Sequence, residues 1–223
     1  KAQLRDLGIP IETIDSPLES GNNQLTRYRI SKRLMQMPGE VRFDAFTRGR
    51  YATDASIYQI VPQGVAFPKS EADIAAALTI AAEHGVPVIA RGGGTSQNGQ
   101  PIGDGLVLDL SRHFNAIRDY DPQARTVSVA PGLVLEALNT RLRKDGLFFP
   151  VEPSTASRCT IGGMVGNNSS GARSLRYGKT VDNVIDLKAM FHDGEPFALG
   201  EGPLSDNASP RARALMEQML VLA

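Results

Sequence analysis

The chain has 223 residues, 24 Lys plus Arg against 24 Asp plus Glu, a formal net charge of zero and a single cysteine. That length allows one domain or two small ones with a real core. The balanced charge offers no basic footprint for nucleic acid, one cysteine allows no intrachain disulfide or cysteine metal cluster, and no apolar run approaches the roughly 20 residues of a membrane span.

Residues 1 to about 48 read as polar and irregular, with loop composition at Ser16-Pro-Leu-Glu-Ser-Gly-Asn-Asn23 and a short, solvated basic helix from Leu25 to Met37 stopped by Pro38-Gly39. The pattern sharpens from Tyr51. Gly64-Val-Ala-Phe67 is a strand ended by Pro68, and Ser70 with Asp73 three residues on has the spacing of a capping box. Ile74, Ala77, Leu78 and Ala81 recur at helical spacing, and Gly85 supplies the stop. Val86-Pro-Val-Ile-Ala90 and Leu106-Val-Leu-Asp-Leu110 are the next strands, so this stretch reads as a parallel β-α-β unit. A second unit begins near Ile117. It has a turn through Arg125, an alternating strand Thr126–Ala130, a bend at Pro131-Gly132, an amphipathic helix Leu133–Asp145 stopped by Gly146, and a hairpin around His192-Asp-Gly-Glu195. Ser209 to Ala223 reads as a helix that reaches the last residue without a cap, and Lys1 stands where a Met would start a chain, so a fragment cut at both ends is expected.

Two glycine clusters stand out. Arg91-Gly-Gly-Gly-Thr-Ser-Gln-Asn-Gly99 follows a strand, and its three successive glycines exceed what a turn needs. Glycines there permit positive φ and close approach of a ligand, successive N–H groups can curl around an anion, and Thr95 and Ser96 add hydroxyl donors. It is neither a Rossmann fingerprint, since Gln97 stands where a glycine is needed, nor a P-loop, since Gln100 and Pro101 replace Lys and Ser/Thr. The site lies beyond the carboxyl end of a strand, where open α/β sheets take ligands. The second cluster, Pro153 to Gly171, includes Ser154, Thr155, Gly162, Gly163, Gly166 and Asn167. By composition it reads as a polar loop unable to pack a side-chain core. Functionally, it reads as backbone brought close to a flat or extended ligand, with the ligand between the two units. His84, His113 and His192 are scattered and read as structural, and Cys159 as buried and inert. The residues alone describe a nucleotide or dinucleotide binder without its own chemical machinery, a lack that a bound flavin would supply.

Both clusters resemble the flavin-binding domain of the vanillyl-alcohol oxidase / p-cresol methylhydroxylase (PCMH) superfamily. The first is similar to its pyrophosphate loop. Pro153-Ser-Thr-Ala-Ser-Arg-Cys-Thr-Ile-Gly-Gly163, with Asn167 and Ser170-Gly171, is similar to its second FAD segment. Asp44-Ala-Phe-Thr-Arg-Gly-Arg-Tyr-Ala-Thr-Asp-Ala-Ser56, Leu175-Arg-Tyr-Gly178 and Thr180-Val-Asp-Asn-Val184 narrow the likeness to the D-2-hydroxyacid dehydrogenase branch. That branch holds the flavoprotein component of glycolate oxidase and the D-lactate and D-2-hydroxyglutarate dehydrogenases, and the nearest likeness is to the type fused to an iron–sulfur module. The resemblance covers residues 44 to 200 and implies an α+β fold: two α/β subdomains of a PCMH-type FAD-binding domain, truncated at the C-terminus. The implied organisation is an N-terminal extension (1–48), subdomain 1 (49–116), subdomain 2 (117–200) and the start of a helical insertion (201–223).

By position, the resemblance assigns Arg91, Gly92, Gly93, Gly94, Thr95, Ser96, Gln97 and Gly99 to the pyrophosphate and ribityl region. It assigns Pro153, Ser154, Ile161, Gly162, Gly163, Asn167 and Gly171 to the flavin. Thr95 stands where some relatives carry a histidine bonded to FAD, which implies non-covalent FAD. The implied parent oxidises a small 2-hydroxy acid by hydride transfer to FAD and passes electrons to an unidentified acceptor. Its implied location is cytoplasmic, or membrane-associated through an electron-transfer partner. The substrate domain, the segment closing the FAD domain and any iron–sulfur cysteines are not found in this sequence, so no catalytic residue or metal ligand is assigned and the chain alone is expected to be inactive. The alternatives are an alcohol or sugar oxidase of the same superfamily and a nucleotide-binding module without activity.

Overall fold

In the computed structural model of the chain, residues 31–37, 39–200 and 209–222 are described. The first unit contains β1 (Glu40–Arg42), α1 (Ala45–Arg50), β2 (Gly64–Phe67), α2 (Glu71–Glu83), β3 (Val88–Arg91) and β4 (Leu106–Asp109). These strands form one sheet in the order β1-β2-β4-β3, with β2, β4 and β3 parallel and β1 antiparallel on the edge. The connection through α2 therefore skips a place, and β4 enters between β2 and β3. Every residue of β2 and β4 is buried, as expected of central parallel strands covered on both faces.

Ser70 caps α2 as its spacing predicts: Asp73 N–H donates to Ser70 Oγ at 3.1 Å and Ser70 N–H donates to Asp73 Oδ2 at 3.1 Å. Ala77, Leu78, Ile80 and Ala81 of α2 pack with Leu34, Phe43, Leu106 and Leu108. Gly85 ends the helix at φ +65°.

Residues 39–50 differ from the irregular segment expected of them. β1 pairs with β2 through Glu40↔Phe67, Val41↔Ala66 and Arg42↔Val65, and the buried Leu34 and Phe43 join the core. Residues 31–34 are helical, residues 35–37 turn out of the expected basic helix, and its residues 25–30 lie outside the described residues. A three-residue strand flanked by charges is too short to show alternation, and its pairing comes from a strand twenty-odd residues away. The Asp44–Ser56 motif has structural work here. Asp44 Oδ1 caps α1 by accepting from Thr47 N–H at 2.8 Å, and the buried Arg48 donates from Nε to Pro62 O at 2.6 Å.

The second unit starts with the antiparallel pair β5 (Ile117–Asp121) and β6 (Thr126–Val129), turning at Arg125 with φ 56°. α3 (Leu135–Leu142) starts later than predicted, because Val134 is extended and bridged to Thr160 while Leu133 O accepts from Ile161 N–H. The second glycine cluster is not the coreless loop its composition suggests. It forms α4 (Ile161–Asn167), and Cys159, Ile161 and Met164 pack with Leu133, Leu135, Leu138, Leu142 and Val151. Glycine and serine content masks those three inward-facing side chains. α5 (Ser174–Tyr177) follows, and the chain after it is tied to the end of α4 by Thr180 Oγ1 donating to Ser169 O at 2.8 Å and Val181 N–H donating to Asn168 Oδ1 at 3.1 Å. The predicted hairpin is β7 (Asp186–Met190) and β8 (Pro196–Gly200), and α6 (Pro210–Leu222) packs beside it with Arg211 over the Phe191 ring. Met190 and Asp193 return to the first unit: Met190 packs on its core and Asp193 O accepts from Thr79 Oγ1 at 3.0 Å.

The backbone N–H of Thr47 holds the Asp44 carboxyl below its ordinary range. A lowered folded pKa means that its contribution is complete above the unfolded value and disappears as pH falls through the folded one. Asp44→Ala is expected to lower stability by about 1 kcal/mol at neutral pH. The gap between wild type and variant should shrink below about pH 4. Urea unfolding of both proteins across that range checks it, and a gap that widens on acidification would contradict the cap.

Candidate cofactor site

β3 and β4 end side by side, with Arg91 opposite Asp109, and the first glycine cluster leaves this carboxyl edge. Polar groups are buried directly behind it. Tyr51 OH donates to Asp109 Oδ2 at 2.5 Å, and the other carboxylate oxygen accepts from Ser111 N–H at 2.8 Å and Ser111 Oγ at 2.6 Å. Burial and the adjacent carboxylate push the Tyr51 hydroxyl far above its ordinary pKa, so it remains a donor. Arg91 lies with its guanidinium 5.1 Å from the Tyr51 ring centroid.

The loop then runs against the second cluster. A Cβ placed on Gly92 would lie 2.1 Å from Thr160 Oγ1, and one on Gly93 would lie 2.2 Å from Arg158 O. These two positions need glycine for contact, whereas Gly94, at φ +65°, needs it for conformation as well. Among the described residues, no backbone N–H from Gly92 to Gln97 donates to a protein acceptor. A run of unpaired N–H groups on a glycine-rich turn is a cradle for an anion such as a phosphate. Thr95 and Ser96 are half-buried and Gln97 is exposed. Gly99, at φ +77°, packs against the Tyr58 ring.

The second cluster divides into scaffold and surface. The Ile161 side chain is in the core and its N–H donates to Leu133 O at 2.9 Å; Gly162 N–H donates to Pro131 O at 2.7 Å. Gly171 is pressed on Glu152, since a Cβ there would lie 2.2 Å from Glu152 O. Pro153 O accepts from Ala156 N–H at 3.0 Å. Ser154, Gly163 and Asn167 are exposed, and Asn167 Oδ1 accepts from Gln100 Nε2 at 3.2 Å, joining the two clusters.

Thr160, Tyr51, Asp109 and Gln100 were not assigned to the site from the sequence. Asp109 carried a signal: a charge inside the apolar run Leu106-Val-Leu-Asp-Leu110 calls for a buried partner. Thr160, three residues before Gly163, had the spacing of a cap, and its Oγ1 accepts from that N–H at 3.4 Å. Cys159 is buried, which pushes its thiol pKa up. His84 closes α2, its Nδ1 2.8 Å from Ile80 O. No group of three His, Cys, Asp or Glu among the described residues could hold a metal ion, and no helix among them is long and apolar enough to cross a membrane.

Among known protein families, the FAD binding domain family matches residues 62–200. The chain belongs to this family. It is 42% identical over 179 residues to the D-2-hydroxyglutarate dehydrogenase of Pseudomonas putida, covering 79% of this chain and 18% of that protein. It is 38% identical over 176 residues to the glycolate oxidase subunit GlcD of Bacillus subtilis, covering 77% of this chain and 37% of that one. The chain thus spans less than two fifths of either relative. Alkyldihydroxyacetonephosphate synthase matches the fold with TM-score 0.70 and 19% identity over 89% of this chain and 39% of its own. Xylooligosaccharide oxidase from Myceliophthora thermophila matches with TM-score 0.66 and 24% identity over 78% and 37%. The mixed α/β architecture is that of the PCMH-type FAD-binding domain, as the sequence motifs implied, and the cofactor of the family is FAD. The glycine loop fits that cofactor's diphosphate: its N–H groups have no protein acceptor, and Gly92, Gly93 and Gly94 put no side chain in the way.

Gly93→Val should abolish FAD retention, because its Cβ and methyl groups would collide with the Arg158 carbonyl and lift the loop off the second cluster. Gly49→Ala in α1, where a Cβ meets nothing within 4 Å, should leave FAD content unchanged and stabilise the helix by up to about 1 kcal/mol. Flavin absorbance per protein after gel filtration measures both, and normal FAD content in a folded Gly93→Val would contradict the cradle.

Proposed function

We propose that this chain is the FAD-binding part of a flavoprotein dehydrogenase that oxidises a D-2-hydroxy acid to the 2-oxo acid. The observation that carries this reading is the 42% identity to a D-2-hydroxyglutarate dehydrogenase over 179 residues, in a chain whose glycine loop has the geometry of a diphosphate cradle. When bound, FAD supplies the hydride-accepting chemistry. The residues of this chain bind and orient it. Gly92 to Gln97 offer N–H donors to the diphosphate, with Thr95 and Ser96 adding hydroxyls. Ser154, Gly163 and Asn167 present a polar, side-chain-poor surface toward the ring system, and Pro153, Ile161, Gly162 and Gly171 fix that surface to the core. Gly99 turns the chain back at the far end of the loop. The two buried clusters support a division into subdomains near residue 116, with β1 and Phe43 moving the start of the first unit ahead of residue 40.

We further propose that FAD is held without a covalent bond. Thr95 occupies the loop position that the superfamily resemblance gives to a covalent histidine. Cys159 is buried with its thiol pKa raised, which keeps it protonated and unreactive.

An alcohol or sugar substrate is the weaker reading, because the likeness to oligosaccharide oxidases is one of fold at 24% identity or below. Anaerobic addition of D-2-hydroxyglutarate, D-lactate or glycolate to the intact flavoprotein separates the two. At least one of them should bleach the visible flavin band, and L-2-hydroxyglutarate should not. Bleaching by sugars alone would overturn the hydroxy-acid reading. Acid precipitation should release all the flavin into the supernatant, and colour left in the washed pellet would refute non-covalent attachment.

A further inference from the structure

Arg91 begins the glycine loop, and its guanidinium folds beneath it. Nη2 donates to Thr53 O at 2.9 Å, and Nη1 donates to Pro101 O at 3.2 Å and Tyr51 O at 3.4 Å. Its face lies on the Tyr51 ring, whose hydroxyl is anchored to Asp109 at the end of the neighbouring strand. The carboxylates of Asp109 and Asp54 are the acidic groups near it, and Asp54 Oδ2 is buried without a hydrogen-bond partner. On the opposite side the third glycine rests on the guanidinium: a Cβ at Gly94 would lie 2.6 Å from Arg91 Nη2. One planar cation therefore joins three separate stretches of backbone, at Tyr51–Thr53, at Pro101 and at the floor of the loop.

We propose that Arg91 is a positioning residue that sets the curvature of the diphosphate loop from behind, through its bonds to the backbone. The inference rests on the FAD-binding reading of the loop. Three of its five N–H groups reach the carbonyls of Tyr51, Thr53 and Pro101, and these bonds hold the guanidinium against Gly94. What it fixes is the relation between the start of the loop at Gly92, its floor at Gly94 and its return at Pro101, which determines whether the N–H groups of residues 92–97 converge. A planar fork spreads its donors over separate, rigidly spaced nitrogens, whereas a lysine gathers its three donors on one atom of a flexible stem.

The test uses apoprotein from the intact flavoprotein and two variants, Arg91→Lys and Arg91→Met, titrated with FAD and with riboflavin, which has no phosphate. Both variants should bind FAD at least about tenfold more weakly, with riboflavin affinity unchanged. The lost preference is the signature of a misshapen diphosphate cradle, which general damage to the fold would not produce. Wild-type FAD affinity in Arg91→Lys would overturn the proposal, since a charge near the phosphates would then suffice. Equal weakening of both ligands would also overturn it, as would no change in either. If Arg91→Met does not fold, Arg91→Lys decides alone. A wild-type protein with no preference for FAD over riboflavin would instead defeat the reading of the loop as a diphosphate site.

Discussion

The backbone of Gly92 and Gly93 lies against the backbone and cap of residues 158–160, closer than any side chain permits. The contact sets how the two glycine clusters lie against one another. It brings the turn at the end of β3 onto the start of α4, so donors from the first unit and the exposed polar surface of the second face the same space. Van der Waals packing at this range tolerates no added methyl. The glycines are thus required by the protein's own packing before any ligand is considered, and what remains unpaired after that packing is a row of backbone N–H groups.

Polar burial supports the contact from below. Asp109, Tyr51, Ser111 and Arg91 form one connected network at the carboxyl edge of the sheet, each with partners in hydrogen-bonding range or ring contact. Such a network is costly when left incomplete and rigidifying when complete. Its position, one residue from the glycine loop, makes the sheet edge a firm base for a segment whose own side chains can contribute little stiffness.

Much of this was legible in the sequence where the signal is local. The capping box at Ser70 and Asp73, the stops at Gly85 and Gly146, and the hairpin around Asp193-Gly194 follow from rules spanning a few residues, and they stand where expected. The glycine loop itself was visible for the same reason. β1 was not legible, since three residues of mixed charge become a strand only through β2. Nor was α4, because Gly162, Gly163 and Gly166 argue against a helix that Cys159, Ile161 and Met164 hold in place by burial. The direction of the Arg91 side chain was also hidden. Only the carbonyls of Tyr51, Thr53 and Pro101, brought in from other parts of the chain, show where three of its five donors go.

The place of β4 in the sheet has a further consequence, for the order in which the chain acquires its structure. β2 and α2 are synthesised long before the strand that lies between β2 and β3, so during synthesis the buried face of α2 has no completed sheet to cover it until Asp109 has emerged. Met190 and Asp193 reach the same unit later still. Contacts of such sequence separation pay their loop-closure entropy before they are rewarded. The sheet of the first half of this domain therefore closes only once β4 has been made, and until then the apolar face of α2 is open to aggregation or chaperone capture.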